Sequence, residues 1–219
     1  MNKLIPSGVS DTYLLTDLKK LDRWVCWQDR GGEDEEGTKI PVNRDQKRGR
    51  WYPVSYRDSD NWYEYTEAKR LAEQYPAADT ADGVDGLQVV IKHRGDDFIV
   101  VDLDDCVDDG QLEDWAADYV EQAGTYTEFS PSGTGVHLVF RGTVERQGWA
   151  GPADELTGEV YKKYLITVTG NHVTGTPYRA KRNPEFLEEL FSENDIWWRD
   201  QLFESQDGDD VYGAPTVGN

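Results

Sequence analysis

The sequence predicts an α+β fold built on a largely antiparallel sheet. Two observations carry this: apolar, β-branched runs come in neighbouring stretches, and only a few amphipathic helical patterns interrupt them. At 219 residues the chain is long enough for one substantial core. In chain order, a strand is predicted over about Arg23 to Gln28, followed by a charged, glycine-containing loop from Asp29 to Gly37. Thr66 to Gln74 reads as a helix, with an acid early and Pro76 beyond its end. Leu87 to Ile91 and Phe98 to Leu103 are apolar strands that a Gly-Asp turn would join as a hairpin. Glu113 to Gln122 reads as a helix, and Tyr126 to Phe129, Val136 to Phe140 and Tyr164 to Val168 as strands. Pro184, suited to the first helical position, opens a helix through Leu187 and Leu190. Trp197 and Trp198 are expected to pack onto the core, and the Asp- and Gly-rich stretch after Ser205 to be disordered. No internal repeat is visible.

The chemistry concentrates where Phe98-Ile99-Val100-Val101 runs into Asp102-Leu103-Asp104-Asp105. The chain holds 26 aspartates, so an Asp-x-Asp arises about three times by chance. It recurs at Asp58/Asp60 and Asp207/Asp209, both in polar sequence that suits a solvated acidic face. Asp102 and Asp104 differ because a buried-strand pattern leads into them, and carboxylates are rarely buried without partners. Alternate strand residues share a face, so these two emerge side by side, and hard divalent metals take oxygen ligands of this kind. Downstream, Ser130-Pro131-Ser132-Gly133-Thr134-Gly135-Val136-His137 is a turn whose glycines permit a tight bend before an apolar strand. Consecutive N–H groups in such a turn form an anion-binding concavity; a plain hairpin turn with a structural histidine is the simpler reading. It is not a Walker loop, since no Gly-Lys-Ser/Thr follows. A third acid, Glu159, lies in the strand-like Glu159-Val160-Tyr161. Together these motifs predict a metal-dependent site that handles phosphates.

In order and flanks, the IVVDLDD, SPSGTGVH and GEVY segments, followed by Leu165-Ile166-Thr167-Val168-Thr169-Gly170, resemble the archaeo-eukaryotic primase superfamily, closest to phage- and plasmid-type primase-polymerases. Arg23-Trp24-Val25-Cys26-Trp27, Thr38-Lys39-Ile40-Pro41-Val42-Asn43, Asn61-Trp62 and Glu67-Ala68 are similar to that group's opening segments, so the resemblance spans roughly residues 20 to 190. It implies an RRM-like catalytic core at 20–192, an N-terminal extension at 1–19 and a C-terminal segment at 193–219. It implies that Asp102, Asp104 and Glu159 are catalytic and hold two divalent metals, Mg²⁺ or Mn²⁺. His137, with Ser132, Gly133 and Gly135, would contact the phosphates of an incoming dNTP or NTP; Lys39 would meet phosphate or template. Where the family usually has an arginine after the third acid, this chain has Lys162, Lys163 and Tyr164; Lys163 would contact nucleotide as a point charge rather than a bidentate fork. No helicase ATPase motif follows residue 190, so a separate replicative helicase is an expected partner.

Net charge is −20, unusual for a nucleic-acid binder. Acids spread along the chain, ten lysines and a single methionine fit a halophilic archaeon, whose salt screens self-repulsion. Locally the balance inverts: between residues 38 and 57, Lys39, Arg44, Lys47, Arg48, Arg50 and Arg57 face Asp45 alone, with Trp51, Tyr52 and Tyr56 interleaved. Arg44, Lys47, Arg48, Arg50 and Trp51 are therefore candidates, with Lys39, for holding a single-stranded DNA template by neutralisation and stacking; a flexible basic loop is the alternative. Cys26 and Cys106 lack zinc-ligand spacing and read as reduced core residues of a cytoplasmic protein. No apolar stretch has the length of a membrane span, and no signal peptide opens the chain. The expected function is DNA primase or polymerase activity in the replication of a virus, plasmid or mobile element; the alternative is a catalytically inactive nucleic-acid-binding accessory module. A rolling-circle nuclease would need two histidines flanking one apolar residue, and only His137 is present there.

Overall fold

A computed structural model describes residues 10, 12–30, 38–78, 82–91, 96–142, 148–153, 156–161, 164–193 and 197–198. In chain order the elements are α1 (Thr16–Lys19), β1 (Trp24–Asp29), β2 (Lys39–Asp45), β3 (Arg50–Pro53), α2 (Tyr65–Gln74), β4 (Gly86–Ile91), β5 (Phe98–Leu103), β6 (Val107–Asp108), β7 (Gln111–Leu112), α3 (Asp114–Ala123), β8 (Tyr126–Phe129), β9 (Val136–Arg141), β10 (Gly148–Ala153), β11 (Leu156–Tyr161), β12 (Tyr164–Val168), α4 (Pro184–Glu193) and β13 (Trp197–Trp198). The fold is α+β, as predicted, but with two main sheets rather than one. Five strands run β12-β4-β1-β2-β3, six run β13-β10-β11-β5-β9-β8, and β6 and β7 form a small hairpin. The strand pairings are antiparallel throughout these sheets.

Two apolar clusters fix the layers. In β5, Phe98 and Val100 join one cluster while Ile99, Val101 and Leu103 join the other, as period-2 alternation requires. The first cluster gathers Trp24, Cys26, Leu87, Val89, Ile166 and Val168 of the five-stranded sheet, the α2 residues Tyr65, Ala68 and Leu71, and Leu14, Leu15 and Leu18. The second packs the opposite face of the six-stranded sheet against Ala116 and Val120 of α3 and Phe186, Leu187 and Leu190 of α4. Apolar spacing of three and four residues in each helix produces this one-sided burial. α3 stops at Gly124 in the left-handed conformation (φ 55°). Asn183 Oδ1 accepts from Phe186 N (3.1 Å) and caps α4.

Several expectations are corrected. β4 and β5 do not form a hairpin: β4 lies between β12 and β1, and β5 lies between β11 and β9. Both strands are apolar on both faces, so their pattern does not specify a partner. The alternative of a flexible loop at residues 38–57 fails over 39–53, because β2 and β3 pair in register from Val42↔Pro53 to Asp45↔Arg50. Within the segment before residue 20, Leu14, Leu15 and Leu18 are core residues. Both cysteines are buried free thiols, pushed up to about 12 chiefly by burial. For Trp197 and Trp198 only the pairing of β13 with β10 is described, and the stretch after Ser205 lies outside the described residues. No helix among the described residues is long and apolar enough to cross a membrane.

Candidate nucleotidyl-transfer site

Sheet register assembles the candidate site. Asp102 of β5 is paired with Glu159 of β11 on one side and with His137 of β9 on the other. His137 is paired in turn with Glu128 of β8, and an isolated bridge sets His172 beside Glu128. Residues directly opposite in neighbouring strands share a face, so the row crosses four strands and the segment beyond them. Along those strands Val100, Val139 and Tyr126, two residues away, belong to the first apolar cluster. The polar row is thus the end of a core-facing surface, where alternation carries on but hydrophobicity stops. Glu159 is described by its backbone register alone.

His137 is 4% exposed and lies between two carboxylates. Its Nε2 is 3.4 Å from Asp102 Oδ1 and its Nδ1 is 3.6 Å from Glu128 Oε1. Both contacts are ion pairs too long for good hydrogen bonds, and accordingly neither Asp102 Oδ1 nor His137 Nδ1 has a hydrogen-bond partner. Burial pushes the imidazole toward its neutral form, but Asp102 and Glu128 outweigh burial and raise its pKa. Glu128 is 1% exposed and saturated: Tyr126 Oη donates to it (2.7 Å), as do the amides of Thr169 and Gly170 (2.9 Å each). The Thr169-Gly170 ending therefore holds an acid. Gly170 is at φ 63°, and a Cβ there would lie 1.9 Å from Ser10 O.

Asp104 follows the end of β5 on the exposed rim, and Asp105 turns the chain immediately afterwards with φ 48°. Partial burial, Asp102 and Asp105 raise the Asp104 carboxyl to about 6, against the opposing pull of His137 and Lys39. Lys39, at the start of β2, is thus within electrostatic reach of both His137 and Asp104. Two crowded carboxylates, one with an oxygen that nothing hydrogen-bonds, are a donor set that fits a hard cation. Among the described residues no three His, Cys, Asp or Glu side chains already form a cation cage.

The Ser130–Gly135 turn is locked to this rim. Thr134 O accepts from the amides of Cys106 (2.8 Å) and Val107 (3.0 Å), and a Cβ on Gly135 would come 2.4 Å from Leu103 O. Glycine at 135 is thus required by close backbone approach, while Gly133 supplies the positive φ (79°). The amides of Gly133, Thr134 and Gly135 donate within the turn, to Ser130 O, Ser132 Oγ and Ser130 Oγ. The loop therefore presents the exposed hydroxyls of Ser132 and Thr134, 2.9 Å apart, rather than open amides.

The basic hairpin divides in two. Trp51 is 5% exposed, with Arg44 stacked over Tyr75 (3.7 Å to the centroid) and over Trp51 (5.5 Å). Trp51 is a core residue and cannot stack on a base where it stands; the exposed ring of that strand is Tyr52 (43%). Lys47, Arg48 and Arg50 are exposed at the far end of the hairpin, ~20 Å along β2 from Lys39 at strand rise. Lys163 lies outside the described residues. Sequence reasoning missed Glu128, although Tyr126 and Glu128 are an apolar–acid alternation that leads into the turn, the same signal that marked Asp102.

No protein-family model matches the sequence. Over 127 residues, 57% of the chain, it is 31% identical to a DNA primase-polymerase of Nitratiruptor phage NrS-1. The match spans 15% of that longer protein. By sequence, the chain is similar to part of a phage DNA primase-polymerase.

Proposed function

We propose that the chain performs template-directed nucleotidyl transfer, as a DNA primase or DNA polymerase, in the replication of a virus, plasmid or mobile element. The observation that carries the reading is the register that sets Asp102 between Glu159 and His137, with Asp104 one step beyond. Similarity to a protein named DNA primase-polymerase supports it. Asp102, Asp104 and Glu159 are the residues that would hold two divalent cations, Mg²⁺ or Mn²⁺. Cations held there would supply charge neutralisation for the oxygens that become negative during nucleotidyl transfer.

The chain's own groups do the rest. His137, whose hold on its proton is strengthened by its two carboxylates, is placed to meet a phosphate at the rim, and Lys39 lies within electrostatic reach of it. The Ser132 and Thr134 hydroxyls add donors for phosphate oxygens, and Lys163 is a further candidate for the same task. A single-stranded DNA template and dNTP or NTP are the substrates in this reading; Lys39, Lys47, Arg48 and Arg50 are hairpin charges available to template phosphates.

Primer extension on a DNA template in high KCl, with Mg²⁺ or Mn²⁺, tests this directly. Wild type should extend, and Asp102→Ala should lose at least about a hundredfold in rate, as expected when a charge-stabilising group is removed from the site. Folded wild-type protein that does not extend would instead indicate the inactive accessory module.

A further inference from the structure

The segment that leaves β12 carries features that the proposed chemistry does not use. It runs along the free edge of β8, pinned near the site by Phe129 N→Asn171 O (2.8 Å) and Val173 N→Thr127 O (2.9 Å). At its far end Arg141 N donates to Lys181 O (2.8 Å) and Lys181 N to Thr125 Oγ1 (2.9 Å). Beside these anchors three rings cluster in mutual contact, with Tyr13 also tilted against His172 at 5.6 Å. His172 and Tyr178 have centroids 4.6 Å apart at 23°, and Tyr178 and Tyr13 are 5.4 Å apart at 24°. His172 Nε2 is held by Thr176 Oγ1 (2.9 Å), which fixes the inner ring.

The stack is not a core. Tyr178 is 67% exposed and Tyr13 is 46% exposed, and these are two of the three large exposed hydrophobic side chains among the described residues. Surface charge is equally unusual here. From Asn171 to Pro184 the sequence has Arg179, Lys181 and Arg182 and not one acid, in a chain of net charge −20. All three cations are exposed. Arg179 and Lys181 have no carboxylate partner among the described residues, and Arg182 has only a 3.7 Å pair with Asp97, both side chains well exposed. An exposed pair of that kind is worth little and exchanges readily for a phosphate.

Stacked rings beside a run of cations hold single-stranded nucleic acid without sequence preference: the rings take bases and the cations take phosphates. The inner ring, His172, is the bridge partner of Glu128, so the surface begins at the end of the Asp102–His137–Glu128 row. We propose that Tyr13, His172 and Tyr178, with Arg179, Lys181 and Arg182, form a binding surface for single-stranded nucleic acid that delivers a strand to this row. The surface is separate from the β2–β3 hairpin. Its role as a path for template or primer rests on the polymerase reading, whereas strand binding itself does not.

Fluorescence anisotropy with a labelled oligo-dT of about twenty nucleotides, long enough for one such groove, measures strand binding without metal or nucleotide. Tyr178→Ala should weaken binding by about five- to a hundredfold, while Tyr178→Phe, which keeps the ring, should stay within about twofold. Arg179→Ala with Lys181→Ala should flatten the slope of log affinity against log salt by about 1.4, two phosphates' worth for a single strand. All these side chains are exposed, so melting curves should match wild type. Wild type that does not bind oligo-dT, or Tyr178→Ala that binds like wild type, overturns the proposal. So does a Tyr178→Ala defect confined to a free nucleoside triphosphate. A Tyr178-dependent strand binder that fails to extend primers would refute the polymerase reading and leave this surface standing. Extension by a protein whose affinity ignores Tyr178 would do the reverse.

Discussion

His137 has its hold on a proton strengthened by neighbours on opposite sides of its ring. Asp102 and Glu128 lie 3.4 and 3.6 Å from its two nitrogens, and together they outweigh the burial that would neutralise it. A group that holds its proton more tightly when folded adds stability at low pH and loses it as pH rises through the folded value. His137 therefore stabilises the fold below the ordinary imidazole range and ceases to do so above its own raised pKa. Asp104, raised from 3.8 to about 6, has the same sign, and its contribution is lost between those two values. Glu128→Gln removes one carboxylate from the imidazole and disturbs three hydrogen bonds, from Tyr126, Thr169 and Gly170. The hydrogen-bond loss, about 1–3 kcal/mol, is present at every pH; the loss of pairing with a charged ring is not. Urea unfolding should therefore show a larger deficit for Glu128→Gln at mildly acidic pH than at alkaline pH, because the imidazole loses its proton as pH rises. A deficit equal at both would mean that Glu128 only fills hydrogen bonds. Asp102 and His137 were legible because each adjoins an apolar run, but the register that makes them a pair is a long-range fact. Glu128 was overlooked because an acid in a short strand looks like a surface residue until the amides that saturate it are in place.

The two large sheets are joined by an ion pair as well as by apolar contact. Arg23 precedes β1 of one sheet and Asp96 precedes β5 of the other, and Arg23 Nη2 donates to both carboxylate oxygens at 2.7 and 2.8 Å. Their side chains are only 11% and 8% exposed. Removing one partner strands the other charge out of water, whereas an exposed pair on a helix surface can be lost at little cost. Asp96→Ala should therefore destabilise the protein by about 3 kcal/mol. Glu67→Ala, which breaks the half-exposed Arg70–Glu67 pair on α2, should cost less than about 1 kcal/mol. Thermal melts of the two variants check the contrast, and equal losses would refute it. Element by element, the strands buried on both faces and the three long helices were readable from period and caps, within a residue or two. β2 and β3 were not: Lys-Ile-Pro-Val-Asn-Arg-Asp contains a proline and little apolar alternation, and only pairing makes it a strand. The same double-sided burial that made β4 and β5 obvious as strands left their partners undetermined, and a short intervening turn suggested the wrong one.

Charge is distributed over the molecule with a pattern that total charge conceals. There are 43 acids against 23 bases, yet cations gather on two segments that begin at the polar row. One is the β2–β3 hairpin, from Lys39 to Arg50; the other runs from beside Glu128 to Arg182. A polyanion would meet attraction along these two paths and repulsion elsewhere, so net charge of this sign is compatible with strand binding while it limits non-specific contact. The remaining excess of acid repels itself and weakens the compact state. Raising KCl from ~0.1 M to ~1 M shortens the screening length from about 10 Å to about 3 Å, so the melting temperature at neutral pH should climb. Salts also act by exclusion from protein surface, and that effect does not depend on protein charge. The two separate on moving toward the isoelectric point, pI ≈ 4.4, where net self-repulsion vanishes and added KCl should give little or no gain. A melting-temperature increase of the same size at both pH values would mean that self-repulsion is not what KCl relieves. An increase confined to neutral pH would place the cost in the mutual repulsion of the acids.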